Sequence, residues 1–356
     1  MKGLILAGGT GSRLRPITHT GPKQLLPVAN RPVIEYAIED LRSAGITEIG
    51  VVLGQHGADA IQESLGDGHD FGVDITYILQ GAPLGLAHAV GCARDFVGDD
   101  TFVVYLGDDL LGDDIDDLVA EFDPRTHEAS IAVQTVDDPS RYGIVDHDDR
   151  GDVARLVEKP DDPPSRSAII GVYVFTPQIF ECIEGLESSW RGEFELTDAI
   201  QRLLNDGYRV QAHTISGWWK DTGTPEDIVG ANRLVLDDIA NDVRGDIADD
   251  ATIEGRLQVG EGTVIEAGST VRGPVSLGND VHVREGAYVG PYTSVGDGCT
   301  IENVHLESSV MMADATVTTS ATIVDSLLGP DVSITARETE PNGNRLVVGR
   351  DSTLEL

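Results

Sequence analysis

The sequence predicts two structural parts: an α/β domain with a mostly parallel sheet, followed by a parallel β-helix. Three observations support this prediction. Short apolar strand-like segments alternate with helix-like segments over roughly the first 235 residues, which is typical of a parallel sheet covered on both faces. From Ile247 onward, apolar residues recur every six positions, a spacing that no α-helix presents on one face. The first strand ends in a loop with three glycines in four positions.

In the first part, four predicted strands are interleaved with three predicted helices. Pro32 and Gly45 bound the first helix, because proline suits the first helical turn and glycine suits the residue after the last. The predicted strands are Leu4–Ala7, Ile49–Leu53, Ile75–Leu79 and Phe102–Leu106. The predicted helices are Val33–Ala44, Ala58–Leu65 and Leu86–Phe96. Ligands of such sheets bind beyond the carboxyl ends of the strands, so we expect a site there.

In the second part, the six-residue period predicts that each repeat forms one side of a triangular coil. The period is unbroken through the apolar positions Ile247, Ile253, Val259, Ile265, Val271, Leu277, Val283, Val289, Val295 and Ile301. It breaks at Glu307 and resumes in a shifted register at Val317, which predicts a loop or insertion between them. The final stretch, 337–356, is polar with little pattern and predicts a terminal tail.

The composition is strongly acidic. Sixty-one aspartates and glutamates against 25 lysines and arginines give a formal net charge of −36. Pairs of aspartates are spread along the chain, which favours a solvated acidic surface suited to high salt over a metal cluster or a basic partner. Nucleic acid is therefore not an expected partner. Only four lysines are present, so each retained one is a candidate for a specific task.

The cysteines and the hydropathy pattern indicate the compartment. Three cysteines lie far apart without a Cys-x-x-Cys motif, so we predict neither a disulfide framework nor a zinc site. No apolar run approaches the roughly 18 residues of a membrane span, and the N-terminus lacks the pattern of a signal peptide. We therefore expect a cytoplasmic protein without a membrane partner.

The glycine-rich loop is the strongest indication of a site. Gly8, Gly9 and Gly11 let backbone N–H groups approach an anion that side chains would otherwise block. Arg13 and Lys23 add positive charge nearby. The loop lacks the lysine of a P-loop and the third glycine of a dinucleotide-binding turn. The sequence therefore predicts a site for a triphosphate.

Short motifs in order along the first part resemble the sugar nucleotidyltransferase family, and within it the long-form glucose-1-phosphate thymidylyltransferases. These motifs are Gly8–Leu14, Pro22–Pro27, Gln80 with Gly85–Ala87, Leu106–Asp108, Arg141–Gly143, Glu158–Pro160, Arg191–Glu193 and Trp219–Gly223. The resemblance implies a Rossmann-like catalytic domain over residues 1–240, a left-handed parallel β-helix of hexapeptide repeats over 245–336, and the tail at 337–356.

The resemblance also implies a reaction. An oxygen of glucose 1-phosphate attacks the α-phosphorus of dTTP and displaces pyrophosphate, with Mg²⁺ as the cofactor. Because two polyanions must meet in one pocket of an acidic protein, we expect a local cationic lining. Its expected members are Arg13, Lys23, Lys159 and Arg191. We expect the β-helix to serve assembly into a homo-oligomer or binding of product.

On this resemblance, the nucleotide is held by the glycine loop and by residues that follow it. The triphosphate is expected to contact Gly8, Gly9, Thr10, Gly11 and Arg13. Lys23 is expected to stabilise the α-phosphate, and Asp108 and Asp221 are expected to hold one Mg²⁺, an ion that commonly takes one or two carboxylates plus substrate phosphates. Asp109 departs from the family pattern, which usually has asparagine there.

Further residues are expected to bind the base and the sugar phosphate. Gln80 offers donor and acceptor groups to a pyrimidine edge, and Gly85 leaves room for the ring. Lys159 and Arg191 are expected to bind the sugar phosphate. Glu158 and the backbone of Gly143 are expected to bind sugar hydroxyls.

Three alternatives remain open. UTP presents the same hydrogen-bonding edge as dTTP, so the preferred base is undecided. The hexapeptide part is also compatible with an acetyltransferase, for which His282 and His305 are the candidate bases. A non-catalytic subunit that binds nucleotide-sugar is disfavoured, because Arg13, Lys23 and both candidate metal ligands are present.

Overall fold

The computed structural model describes residues 1–19, 21–148 and 152–336. The chain forms two compact units, one over Met1–Val235 and one from Leu236 onward. The predicted tail at 337–356 lies outside the described residues. Within the described ranges, no helix combines the length and the apolar character that crossing a bilayer requires.

Strands and α-helices alternate through the first unit, as the sequence predicts. The strands are β1 (Lys2–Ala7), β2 (Pro27–Val28), β3 (Arg31–Pro32), β4 (Glu48–Gly54), β5 (Asp74–Gly81), β6 (Phe102–Leu106), β7 (Asp109–Leu111), β8 (Ala129–Thr135), β9 (Gly143–His147), β10 (Val153–Glu158), β11 (Ser167–Phe175), β12 (Val210–Thr214) and β13 (Trp219–Asp221). The helices are α1 (Val33–Ser43), α2 (Ala58–Leu65), α3 (Leu86–Cys92), α4 (Arg94–Val97), α5 (Asp116–Ala120), α6 (Gln178–Glu184), α7 (Leu196–Asn205) and α8 (Pro225–Leu236). The single helix predicted over Leu86–Phe96 is in fact α3 and α4, because the backbone leaves helical geometry at Ala93.

The main sheet has the strand order β10-β9-β11-β6-β1-β4-β5. Strand β1 pairs in parallel with both β4 and β6, and β4 pairs in parallel with β5. The predicted α/β fold with a mostly parallel sheet is confirmed for this half. Strand β11 extends the sheet by antiparallel pairing with β6 and β8, and the strand pattern of the sequence did not predict this extension.

Both faces of the sheet are buried, as β1 shows. Leu4 and Leu6 point into one apolar cluster, and Ile5 and Ala7 point into the cluster on the opposite face. Each fully buried leucine or isoleucine contributes about 1.5–3 kcal/mol to stability. The packing holds β1 from both sides, so the glycine loop starts from a fixed point after Ala7.

The order of the strands creates a crevice at the end of β1. The chain runs from β1 to β4 and β5 on one side and then returns to β6 on the other side. Connections from neighbouring parallel strands thus leave in opposite directions, which opens a space beyond their carboxyl ends. The predicted location of the site follows from this topology.

The second unit consists of short strands in three parallel sheets, which confirms the predicted β-helix. The strands are β14 (Asp242–Val243), β15 (Asp246–Ile247), β16 (Thr252–Glu254), β17 (Leu257–Val259), β18 (Val264–Ile265), β19 (Thr270–Arg272), β20 (Val275–Leu277), β21 (His282–Val283), β22 (Tyr288–Val289), β23 (Thr293–Val295), β24 (Thr300–Glu302), β25 (His305–Glu307), β26 (Val310–Met311), β27 (Thr316–Thr318), β28 (Thr322–Val324), β29 (Leu327–Leu328) and β30 (Ser333–Thr335). The three sheets are β14-β17-β20-β23-β26-β29, β15-β18-β21-β24-β27-β30 and β16-β19-β22-β25-β28. Apolar residues of successive coils stack inside, as Ile265 does on Val283.

The loop or insertion predicted after Glu307 was wrong. Strands β25, β26 and β27 continue the three sheets without interruption. Leu277 pairs with Val295, eighteen residues later, whereas Val295 pairs with Met311, only sixteen residues later. The register therefore shifts because turns of the coil lose residues, and the coil itself continues.

Candidate functional site

One cavity of about 530 Å³ lies in the first unit, beyond the ends of β1 and β6, within the usual size range of small-molecule sites. Nearly all of the predicted site residues line it. They are Gly8, Gly9, Thr10, Arg13, Lys23, Gln80, Gly85, Asp108, Gly143, Glu158, Lys159, Arg191 and Asp221. The structure thus brings together residues that are far apart in the sequence.

The glycines of the first loop permit close contacts. A Cβ at Gly8 would lie 2.5 Å from Oε1 of Gln80, and a Cβ at Gly9 would lie 2.8 Å from Cε of Lys23. At either distance the neighbouring side chain would have to move to accommodate a Cβ. The two glycines therefore allow Gln80 and Lys23 to lie directly against the loop backbone.

Gly11 has a different position from the rest of the loop and does not line the cavity. Its φ of +60° is in the left-handed region that favours glycine, and it precedes a short 3₁₀ turn over Ser12–Leu14. The Thr18 hydroxyl donates a 2.7 Å hydrogen bond to the Gly11 carbonyl. In this structure Gly11 shapes the loop, and its predicted contact with a nucleotide stays a prediction.

Lys23 and Asp108 form an ion pair in the wall of the cavity. The Lys23 ammonium donates a hydrogen bond to Oδ2 of Asp108, and both side chains are largely buried. Burial alone lowers the pKa of Lys23, but the attraction of Asp108 and the other nearby carboxylates exceeds that effect and raises it overall. Lys23 is therefore held in its charged form.

Asp221 ends a strand that is paired with the strand directly following Asp108. Strand β13, which ends at Asp221, pairs antiparallel with β7, which begins at Asp109. Both the amide and the hydroxyl of Thr222 donate to the Asp108 carbonyl, at 3.1 and 2.7 Å. Burial and then the negative charge of Asp108 raise the pKa of Asp221. The two predicted metal ligands are thus close enough to repel each other.

This donor set fits a magnesium ion that is completed by substrate. Among the described residues, no group of three or more histidine, cysteine or acidic side chains forms a ready-made metal site. Mg²⁺ commonly takes one or two carboxylates together with substrate phosphates and water. The mutual repulsion of Asp108 and Asp221 is of the kind that a divalent cation relieves.

Asp109, which departs from the family pattern, is buried, with 3% of its surface exposed. Burial, then the negative charges of Asp108 and Asp221, raise the pKa of Asp109 well above its ordinary value. This favours the protonated carboxyl, which offers one O–H donor and one C=O acceptor. A neutral Asp109 therefore resembles, in hydrogen bonding, the asparagine that is usual at this position.

Among the residues expected to bind the base, the amide nitrogen of Gln80 donates a 3.1 Å hydrogen bond to the Gly85 carbonyl. Gly85 has φ of +112°, and a Cβ there would lie 2.5 Å from the backbone oxygen of Phe194. The loop before α3 is fixed to this neighbouring segment, since the Phe194 amide donates to the Leu84 carbonyl at 2.7 Å. Gly85 therefore permits close backbone packing, in addition to lining the cavity.

Among the residues expected to bind the sugar phosphate, Arg191 forms ion pairs with Glu158 at 3.5 Å and with Glu195 at 3.2 Å. The Thr197 hydroxyl donates to Glu158 at 3.3 Å. Burial raises the pKa of Glu158, and the neighbouring Lys159 offsets this only in part. The arrangement holds a carboxylate and a guanidinium in fixed positions, which suits recognition of sugar hydroxyls and a phosphate.

Comparison with known families identifies the family to which this chain belongs. Residues 2–238 match the model of the nucleotidyl transferase family. The chain belongs to the sugar nucleotidyltransferases. Residues 271–354 match a second model, described as the GMPPB C-terminal domain.

Individual relatives of this sugar nucleotidyltransferase agree with the family match. It is 58% identical, over the full length of both chains, to the low-salt glycan biosynthesis nucleotidyltransferase Agl11 of Haloferax volcanii. It is 45% identical, over 100% of this chain and 99% of the relative, to a glucose-1-phosphate thymidylyltransferase of Streptomyces antibioticus. A solved structure of UDP-glucose pyrophosphorylase with UDP-glucose aligns with a TM-score of 0.61 and 27% identity, over 67% of this chain and 99% of that one.

The charge of the cavity differs from the cationic lining that we expected for this nucleotidyltransferase. Its wall carries five cationic side chains, because Arg141 joins the four that were predicted. It also carries the six acidic residues Asp108, Asp109, Glu158, Glu193, Glu195 and Asp221. The wall is therefore close to balanced, which is still far richer in cations than a chain with 25 basic and 61 acidic residues. Side-chain charge alone therefore gives this wall little net attraction for anions, whereas backbone N–H groups and a bound cation would add to it.

Sequence reasoning assigned no role to two buried polar residues of the site. Gln24 is fully buried, and neither polar atom of its amide has a hydrogen-bond partner among the described residues. Its amide nitrogen lies 3.6 Å from where a Cβ of Gly9 would be, directly beneath the loop. Glu195 is 4% exposed and pairs with Arg191. Glu195 stands between Phe194 and Leu196, and Gln24 stands between Lys23 and Leu25, so neither sequence context predicted that the side chain is buried at the site.

Proposed function

We propose that this enzyme is a glucose-1-phosphate thymidylyltransferase, which forms dTDP-glucose and pyrophosphate from dTTP and glucose 1-phosphate with Mg²⁺. The observation that carries the proposal is that one cavity joins three groups: the glycine loop with Arg13, the cluster around Lys23, and the pair Lys159 and Arg191. Full-length relatives with this name from two Streptomyces species, 45% and 42% identical, support it.

The reaction that suits this cavity is an in-line displacement. An oxygen of glucose 1-phosphate forms a bond to the α-phosphorus of dTTP while the bond to the α,β-bridging oxygen breaks. The electron pair of the broken bond leaves with pyrophosphate, so no covalent intermediate with the protein is needed. Such a reaction depends on positioning and on charge stabilisation rather than on an enzyme nucleophile.

We assign the nucleotide end to residues that can stabilise the leaving group. The backbone of Gly8, Gly9 and Thr10 and the guanidinium of Arg13 would bind the pyrophosphate part. Lys23 would stabilise charge that develops on the α-phosphate. Asp108 and Asp221 would hold Mg²⁺, which supplies Lewis-acid polarisation of the phosphoryl oxygens.

We assign the sugar end to the charged group around Glu158. Lys159, whose side chain is 41% exposed, is available to a phosphate entering from solvent. Arg191 and Glu158 are fixed by their own ion pair and would bind sugar hydroxyls or the phosphate. The backbone of Gly143, which lines the same wall, would complete this contact.

Two further activities are supported by specific relatives. The alignment with UDP-glucose pyrophosphorylase favours UTP as a second nucleotide, since uracil and thymine share one hydrogen-bonding edge.

A relative from Methanocaldococcus jannaschii, 32% identical over 92% of this chain, is named bifunctional GlmU. In the β-helix here, His305 packs against Tyr288 at 4.2 Å between ring centroids and pairs with Glu307 at 3.2 Å. His282 is exposed and lies on a different sheet from His305.

The proposal is tested by a substrate panel in high salt with Mg²⁺. Release of pyrophosphate is measured for dTTP, UTP and GTP, each with glucose, glucosamine and mannose 1-phosphates. We expect dTTP with glucose 1-phosphate to have the highest kcat/KM. A higher value for any other pair overturns the proposed substrates. Acetyl-CoA consumption with glucosamine 1-phosphate, measured in parallel, tests the acetyltransferase alternative.

A further inference from the structure

The side chain of Gln80, at the base end of the cavity, is held by two contacts on one side of its amide. Its Nε2 lies 3.1 Å from the Gly85 carbonyl oxygen and 3.3 Å from Nδ1 of His88. Gln80 is 8% exposed, so its amide competes little with bulk water. The two contacts therefore determine whether the oxygen or the nitrogen of the amide is available to a ligand.

The partners of Gln80 fix the orientation of its amide. A backbone carbonyl can only accept a hydrogen bond, so the NH₂ group of the amide must face Gly85. The second hydrogen of that NH₂ then faces His88, whose Nδ1 must be the acceptor and whose proton must lie on Nε2. The opposite end of the amide, Oε1, lies against Gly8, and no donor among the described residues hydrogen-bonds to it.

His88 is itself held by the helix on which it lies. Cys92 is one turn further along α3, and its Sγ is 4.0 Å from Nε2 of His88. The same thiol donates to the backbone carbonyl of Gln80 at 3.9 Å. These contacts close a ring from the Gln80 backbone through Cys92 and His88 to the Gln80 side chain. The ring ties the orientation of the amide to α3.

We propose that His88 is a positioning residue that contributes to base specificity, because its Nδ1 and the Gly85 carbonyl together hold Gln80 with its oxygen rather than its nitrogen presented to the base. This inference rests on the proposed function together with the expectation from the sequence that Gln80 binds the pyrimidine edge. The N3–H of thymine or uracil donates to an amide oxygen. The N3 of cytosine carries no proton at neutral pH, so it would leave that oxygen unpaired, and dCTP is rejected.

The experiment compares two substitutions of similar size at one position. His88→Leu removes the acceptor, whereas His88→Asn keeps one, because its Oδ1 takes the place of Nδ1. The measured quantity is the ratio of kcat/KM for dTTP to that for dCTP, with glucose 1-phosphate as the second substrate. We expect His88→Leu to lower this ratio about tenfold, the value of one hydrogen bond of about 1.4 kcal/mol, chiefly through KM for the nucleotides. His88→Asn should retain the ratio within about threefold.

The outcomes separate a specific role from a merely structural one. An unchanged ratio in His88→Leu, or an equal loss in His88→Asn, overturns the role of His88. KM for glucose 1-phosphate should stay constant, since its proposed ligands Lys159 and Arg191 do not hydrogen-bond to Gln80 or His88. If His88→Leu does not fold, His88→Phe, which keeps a ring but no acceptor, gives the same comparison. A wild-type enzyme that uses dCTP as well as dTTP would instead overturn the proposed function, whatever the variants do.

Discussion

The α/β unit and the β-helix translate sequence into structure in different ways. In the β-helix, the burial of Ile265, Val283 and Ile301 follows from one period of six. In the α/β unit, the surroundings of Gln80 and Asp109 include residues far away in the chain, Gly8 for Gln80 and Asp221 for Asp109. A periodic pattern thus specifies an interior, whereas a site requires exceptions to pattern: close glycines, buried amides and paired charges. Chemistry is accordingly expected in the first unit and stability in both.

The strongest test of this difference is charge removal at the candidate metal site. Asp108→Asn or Asp221→Asn should lower kcat on the order of 10²–10³-fold, because the developing phosphoryl charge loses its stabilisation. Asp109→Asn is the matched control, since the neutral form of Asp109 is already favoured, and it should change kcat by about threefold or less. Pyrophosphate release measures all three variants. Full turnover in both Asp108→Asn and Asp221→Asn would contradict the metal assignment.

The complementary test truncates a buried side chain in the core of the β-helix. Ile301→Ala should lower the free energy of unfolding by about 2–5 kcal/mol, because the side chain is fully buried within the coil. Turnover should be retained where the protein stays folded, since the residues that line the cavity all belong to the first unit. Denaturant unfolding and pyrophosphate release test the two statements. His282→Ala, an exposed change nearby, is the control and should alter neither.

A buried carboxyl group in the α/β unit, that of Asp40 in helix α1, should make stability depend on pH. Burial raises the pKa of Asp40 to about 7, although its carboxylate accepts a 2.7 Å hydrogen bond from Tyr105. The folded state therefore keeps a proton that the unfolded state loses above about pH 4, so stability falls as pH rises towards 7 and then levels off. Asp40→Asn removes this slope, which reaches about 1.4 kcal/mol per pH unit. Parallel unfolding profiles for wild type and variant would refute this account.

The smallest expected effect distinguishes the proposed sugar-phosphate site from the proposed nucleotide site. Lys159→Ala should raise KM for glucose 1-phosphate about tenfold with little change in KM for dTTP, because one charged contact to the sugar phosphate is lost. Lys2→Ala, which removes a lysine outside the cavity lining, should leave both constants unchanged. Initial rates with each substrate varied in turn distinguish the two. A rise confined to KM for dTTP would exchange the proposed roles of Lys159 and Lys23.

The fold was largely predictable from local signals. Alternating segments predicted the strands around β1, and the six-residue period predicted the coils through Ile301. The antiparallel extension through β11 was not predictable in this way, because pairing between distant strands leaves no mark on the period of either strand. The continuation after Glu307 was misread for a related reason. Shortened turns shift the register in the sequence while the sheets stay in line.

The membership of the site was predictable, but its physical state was not. Motifs identified thirteen residues of the cavity wall, yet the reaction implied by the resemblance suggested a positive lining where the structure has near balance. Charge balance depends on which acidic side chains point inward, and Glu195 gave no such indication. The contribution of Gly85 also depends on a partner, the backbone of Phe194, that is remote in sequence.

The ion pair between Lys23 and Asp108 has a thermodynamic consequence under the proposed assignment. Before substrates arrive, the ammonium and the carboxylate satisfy each other, so a nucleotide alone must compete with Asp108 and a divalent ion alone must displace Lys23. When both arrive, the phosphate takes the lysine and the ion takes the aspartate, and no group is left unmatched. Each of the two should therefore tighten binding of the other by the same factor.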